Sequence, residues 1–317
     1  TIKLDGNYPV GTGNVALGNT ALDSNVSGVS NTAIGADALT TNTASNNTAV
    51  GYQAGYSNTT GAQNTSLGLW ALKSNTTASN NTAIGGGGSG VIRAALELNT
   101  TGTSNTAVGT GALGENTTAS NNTAVGYQAG YSNTTGADMV ALGKGALKLS
   151  TVGNGNTAVG NNALTSSTTP SNNTALGDNA GAANTTGSNN TIIGKQALQA
   201  NTTASNNTAV GYQAGFSATT GGANSFFGRL AGYTSSGSAA THNTFIGDNA
   251  GYNVSTGSKN TILGRYNGNQ GGLDIRTTSN NIVLSDGTGN PRLSINSSGV
   301  ISGDGSGLTG VGGLTTL

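Results

Sequence analysis

Asn46-Asn47-Thr48-Ala49-Val50-Gly51-Tyr52-Gln53-Ala54-Gly55-Tyr56-Ser57-Asn58-Thr59-Thr60-Gly61 decides the fold, because it returns unchanged at 121–136. Its centre, Asn-Thr-Ala-(Val/Ile/Leu)-Gly, recurs in close variants down most of the chain. The closing glycines are Gly18, Gly35, Gly51, Gly68, Gly85, Gly109, Gly126, Gly143, Gly160, Gly177, Gly194, Gly211, Gly228, Gly247 and Gly264. Their spacings are 17, 16, 17, 17 and 24, then seven steps of 17, then 19 and 17. So constant a step implies stacked units, each resting on its neighbour. The expected fold is all-β: a parallel β-roll or β-solenoid of about 15 coils with a 17-residue period.

Within each unit the residue before the glycine is apolar: Leu17, Ile34, Val50, Leu67, Ile84, Val108, Val125, Leu142, Val159, Leu176, Ile193, Val210, Phe227, Ile246 and Leu263. At about 4.8 Å per coil this column reads as a buried structural core ladder. Thr, or a near-isostere such as Val15, Val140 or Ser225, stands two places earlier, on the same face by alternation. The small residue between them is expected to point the other way. Three residues past the glycine comes a column of alanines, followed by Leu (Leu39, Leu72, Leu113) or Gly (Gly55, Gly130, Gly215). Several of the Gly coils continue with an aromatic: Tyr56, Tyr131, Phe216, Tyr233 and Tyr252. These rings are expected to fill the volume of the missing leucine. The remaining Asn, Ser and Thr read as turn chemistry.

So thin a coil has little apolar burial to set against roughly 1–2 kcal/mol of backbone entropy per residue. Three chains sharing an axis would turn one face of each coil into a common interior, so a homotrimeric fibre is expected, with a monomeric solenoid as the alternative. The domain reading is an N-terminal connector or cap over 1–13 and a shaft over 14–264 with insertions at 86–104 and 229–242. A β-hairpin region over 265–298 and a glycine-rich connector over 299–317 follow. In the first insertion, 91–98 is expected to form a short helical turn. The chain opens at Thr1 without a signal peptide, so a fragment of a longer protein is expected.

Of the 317 residues only 7% are charged, and 11 basic residues balance 11 acidic ones. No basic cluster suggests a nucleic-acid groove, and no apolar run suggests membrane insertion. Without cysteine, and with one histidine, the usual zinc sets cannot form. Asp178 and Asp248 lack the spacing of a calcium loop and read as solvated turn residues. A serine–histidine–acid arrangement could draw only on His242. No catalytic residue, metal or cofactor is expected, and the chain reads as a non-enzyme. The Asn-x-Thr triplets at 58–60 and 75–77 match the glycan-acceptor pattern, which this composition generates by itself.

Asn-Thr-Ala-Ile-Gly followed by x-x-Ala resembles the head repeats of trimeric autotransporter adhesins, which form a left-handed trimeric β-roll of the YadA-like type. The longer phrase at 46–61 and 121–136 resembles bacteriophage tail-fibre shafts. The segment 299–311 is similar to the stretch preceding a self-cleaving, endosialidase-type chaperone domain in such fibres. The likeness covers about residues 14–264 and the C-terminal connector, although the step of 17 is longer than that of adhesin heads. It implies a virion tail fibre that attaches to a bacterial host, with a surface glycan or outer-membrane receptor and other fibre or baseplate proteins as partners. A cell-surface adhesin or extracellular filament is the alternative, and a monomeric ice- or carbohydrate-binding solenoid a minor one. Tyr52, Tyr127 and Tyr212, each just after a turn glycine, are the candidate sugar-stacking positions.

Overall fold

The computed structural model describes residues 11–88, 92–237 and 240–303, and among these there are strands and turns but no helix. The chain divides into two compact units, Thr1–Asn172 and Asn173–Leu317. The first carries β1 (Val15–Leu17), β2 (Thr32–Ile34), β3 (Thr48–Val50), β4 (Thr65–Leu67), β5 (Thr82–Ile84), β6 (Thr106–Val108), β7 (Thr123–Val125), β8 (Val140–Leu142) and β9 (Thr157–Val159). Each pairs in parallel and in register with the next, Thr48 against Thr65 and Val50 against Leu67. The second carries β10 (Thr174–Leu176), β11 (Thr191–Ile193), β12 (Thr208–Val210), β13 (Ser225–Phe227), β14 (Thr244–Ile246) and β15 (Thr261–Leu263), paired in the same way. One three-residue strand per 17-residue coil makes the protein a parallel β-solenoid.

The turn glycine is required twice over. Gly51 sits at φ 135°, and a Cβ there would lie 2.6 Å from the carbonyl oxygen of Gly68 in the next coil. No side chain fits either constraint. From this turn the chain folds back over the middle residue of the strand, which reverses the expected facing. Ala33, Ala49, Ala83 and Ala124 are fully buried. The column Leu17, Ile34, Val50, Leu67, Ile84, Val108, Val125, Leu142 and Val159 faces out in the first unit. Leu176, Ile193, Val210, Phe227, Ile246 and Leu263 do so in the second, all half-buried or exposed. Leu67 is 44% exposed and Leu176 49%. The column is in register as expected, but it is not the interior of the coil. The interior also holds the turn alanine and leucine and two asparagines, so the middle residue is mostly alanine. Phe226 and Phe245 are buried there in coils whose turn carries Gly232 and Gly251 in place of leucine.

Those asparagines are the second correction. An asparagine precedes β1–β15 except β8, where Met139 stands. It is buried from Asn31 on, and its Oδ1 accepts the backbone N–H of the same position one coil on. This runs from Asn14 to Met139 in the first unit and from Asn173 to Asn281 in the second, at 2.8–3.0 Å. The Nδ2 donates to a carbonyl of the next turn, as from Asn47 to Gly61 at 2.9 Å. In a second column the amides bond one another: Asn58 Nδ2 donates to Asn42 Oδ1 at 2.6 Å and Asn75 Nδ2 to Asn58 Oδ1 at 2.7 Å. A satisfied buried amide avoids a desolvation cost of about 1–3 kcal/mol, so the polar columns help to make the thin core viable. The triplet asparagines Asn58 and Asn75 are therefore inaccessible to a glycan. The exposed acceptor in the repeat is the preceding position, Asn46 or Asn121.

The leucines after the turn alanine are buried in left-handed backbone, Leu39 at φ 51° and Leu113 at φ 50°, and the glycines that replace them share that conformation, Gly55 at φ 60°. The missing leucine volume is filled by a strand side chain of the same coil or by a side chain of the next coil, not by the aromatic that follows. A Cβ at Gly130 would meet Met139 Cε at 2.7 Å, and one at Gly251 would meet Phe245 Cδ2 at 2.4 Å. Tyr56, Tyr131, Phe216, Tyr233 and Tyr252 are instead half-buried.

Among the described residues of the first insertion there is no helix. The extra residues precede Ala95-Leu96, which are the turn Ala-Leu pair of that coil, and Asn99 is back in the amide column at 2.9 Å from Asn75 Oδ1. Residues 89–91 of that insertion and 238–239 of the second lie outside the described residues. After β15 come a short antiparallel pair, β16 (Asn269–Gln270) and β17 (Leu273–Asp274), and then β18 (Ile282–Ser285), which continues the parallel stack on β15. The expected hairpin follows as β18 against β19 (Pro291–Ile295). Part of the expected connector forms a third antiparallel strand, β20 (Ile301–Gly303). The connector readings over 1–10 and 304–317 lie outside the described residues.

Candidate functional site

The outward face of the parallel sheet is uniform in chemistry along each unit. Per coil it shows one Thr-type residue and, two places on, one aliphatic or aromatic residue, and it carries no charged side chain. Parallel sheets are ordinarily covered on both faces. Here the inner face is covered by the coil's own turn, while the outer retains half-exposed Ile, Leu and Val in line. Thr and aliphatic rows alternate across this face, so it is not the double threonine array that an ice-binding reading requires.

A second column, one residue past each turn glycine, carries ion pairs between coils in the second unit. Lys195 Nζ pairs with Asp178 Oδ2 at 3.8 Å, and Asp248 receives Arg229 Nε at 2.7 Å and Arg265 Nε at 3.4 Å. Asp178 and Asp248 are thus ion-pair partners between coils. Among the described residues no group of three or more histidines, cysteines or carboxylates could hold a metal ion.

Tyr52, Tyr127 and Tyr212 stand in this same column and are exposed, at 46%, 42% and 45%. The structure does not bring them together. Tyr52 lies between Ala36 and Leu69, Tyr127 between Thr110 and Lys144, and Tyr212 between Lys195 and Arg229 of adjacent coils. The continuous aromatic surface lies elsewhere, at Phe216, Tyr233 and Tyr252, whose rings stack at centroid separations of 5.0 and 4.9 Å with interplanar angles of 7° and 6°. The spacing of 17 and 19 residues between them is the sequence signal of this stack. His242 is exposed, and its backbone N–H donates to Gly222 O at 3.3 Å. Among the described residues no helix is long and apolar enough to cross a membrane.

Comparison with protein-family models, with curated proteins and with solved structures gives no match.

Proposed function

We propose that the chain is a non-catalytic shaft segment of a bacteriophage tail fibre, which assembles as a homotrimer through its outward sheet face and positions the attachment surface against a bacterial host. The observation that supports this reading is the uncharged Thr/aliphatic face left uncovered by a parallel sheet. Exposed apolar rows of this kind mark interaction surfaces. Since all coils carry the same two rows, the partner best matched in length and period is a second and third copy of the same chain, closed about an axis. The phrase shared by 46–61 and 121–136 and its resemblance to fibre shafts supply the biological half of the reading. The shorter Asn-Thr-Ala-Ile-Gly-x-x-Ala pattern keeps a cell-surface adhesin as the second reading. A chaperone domain encoded downstream would favour the first and a membrane barrel the second.

The absence of cysteine gives a clean test. Val125→Cys on the outward face should cross-link between copies with a short bis-maleimide at low protein concentration. Thr118→Cys, on the exposed Asn-Thr-Thr turn, should not. Equal cross-linking by the two variants, or none by Val125→Cys, would overturn the assembly reading.

A further inference from the structure

The aromatic stack of the second unit ends in an open cleft of about 240 Å³ lined by Asn249, Tyr252, Arg265, Asn267, Gln270 and Thr288. Register explains why it ends there. Thr234 N–H donates to the carbonyl of Tyr252 at 3.1 Å, and Asn253 N–H donates to that of Asn267 at 2.8 Å. Gly251 N–H donates to the carbonyl of Tyr266 at 2.8 Å, so the turn is compressed and Asn267 alone lies opposite both Gly251 and Tyr252. An aromatic column gives way to an amide, and the next ring's place beyond Tyr252 is taken by a polar group.

The surrounding groups are held in place. Asn249 Nδ2 donates to Asp248 Oδ2 at 2.9 Å, and Gln270 Nε2 donates to the carbonyl of Thr288 at 3.0 Å. Asp248 is shared by two guanidiniums, Arg229 and Arg265, so one carboxylate faces two positive charges and the cluster keeps a net positive charge beside the cleft. The other carboxylates nearby, Asp274 and Asp286, are each closed on their own arginine, Arg276 and Arg292. Three planar polar groups, a hydroxyl, the end of an aromatic stack and an unbalanced guanidinium make a set with a definite ligand chemistry. A pyranose has an apolar C–H face for a ring and a rim of hydroxyls for amides, which both donate and accept. A carboxylate on that sugar would meet the guanidinium in a charge-assisted bond.

We propose that this cleft binds a terminal acidic sugar, a uronic or sialic acid residue of a surface polysaccharide. Its volume is below the roughly 300 Å³ at which sites for drug-sized ligands start, and suits one sugar ring with its neighbour outside. The site is built from one chain, so it stands or falls separately from the trimer.

The test is saturation-transfer NMR on the whole chain with three probes: glucuronic acid, N-acetylneuraminic acid and glucose. The expected result is saturation transfer to at least one acidic sugar, with at least tenfold tighter binding than glucose. Arg265→Gln should abolish that preference, and Tyr252→Ala should abolish binding. Tyr252→Phe, which keeps the stack, should retain the acidic preference and guards against a folding defect in the alanine variant. No transfer from either acidic sugar, equal binding of glucose, or unchanged binding in Arg265→Gln and Tyr252→Ala would each overturn the proposal.

Discussion

Leu113 and Gly251 occupy the same place in their coils, and the choice between the two residue types is a packing decision. Leucine in left-handed backbone costs about 1–3 kcal/mol, which the burial of its side chain, about 1.5–3 kcal/mol, offsets. Where Phe245 already fills the space, glycine relieves the strain and leaves no void. Gly251→Leu should therefore destabilise the second unit by about 1–3 kcal/mol through overpacking, and Phe245→Ala by about 3–5 kcal/mol through a cavity. In the double variant the leucine enters the vacated space, so the combined loss should fall short of the sum by about 1 kcal/mol or more. Urea unfolding of the four proteins measures this coupling, and strict additivity would contradict the packing account. The Leu/Gly exchange was legible in the sequence, but its compensation was not. A ring next to a glycine in the chain looks like its filler, whereas stacking brings in a side chain from another part of the coil or from the next coil.

The buried asparagine columns set the fit of one coil on the next. Asn105 Oδ1 accepts the backbone N–H of Asn122 at 3.0 Å, while its Nδ2 donates to Ala119 O at 2.8 Å. Asn105→Asp keeps the acceptor, removes the donor and places an ionisable group in a fully buried position. It should cost about 2–4 kcal/mol at neutral pH, from the unpaired carbonyl and the buried charge. Part of that loss should return in acid, when the carboxyl protonates and can donate again. Hydrogen exchange at the Ala119 and Asn122 coils reads this out, and protection equal to wild type at neutral pH would refute it. Composition suggested turn chemistry for the asparagines because Asn usually stands there. The signal missed was the phase of the first column, the residue before the strand in every coil of β1–β15 but that of Met139.

At the β18–β19 turn, Asp286 is held below the usual carboxylate range, first by the Thr288 hydroxyl and then by the Asn290 N–H and Arg292. A depressed carboxylate stabilises the folded turn above its unfolded value, near 3.8, and that contribution is lost as pH falls through the lower folded value. Amide protection at Thr288 and Asn290 should hold steady from neutral pH down to the ordinary carboxylate range and fall only below it. Asp286→Asn should lose the protection at every pH. A turn whose exchange ignores both changes would contradict this assignment.

Across the whole molecule, the period, the strand positions and the C-terminal hairpin could be read from the sequence, because each depends on local spacing. Facing could not. Alternation says that Val125 and Ala124 point to opposite sides, but only the direction of the turn decides which side is inside. Val125 ends up outside and Ala124 inside, and the outward column of both units forms the face on which the assembly reading rests. Tyr52, Tyr127 and Tyr212 were rightly read as exposed, yet exposure alone did not gather them. The cleft beyond Tyr252 depends on the irregular turn after β15, in a coil where Thr261 pairs with Ile282 and the step departs from 17, which a lapsed pattern conceals.

The assembly reading is tested most directly by the solution mass of the purified chain, measured by multi-angle light scattering over a range of concentrations. One chain weighs 30.7 kDa. A mass three times that, constant on dilution, is the result predicted if the outward faces of three copies close on one another. A mass of one chain at every concentration would contradict it.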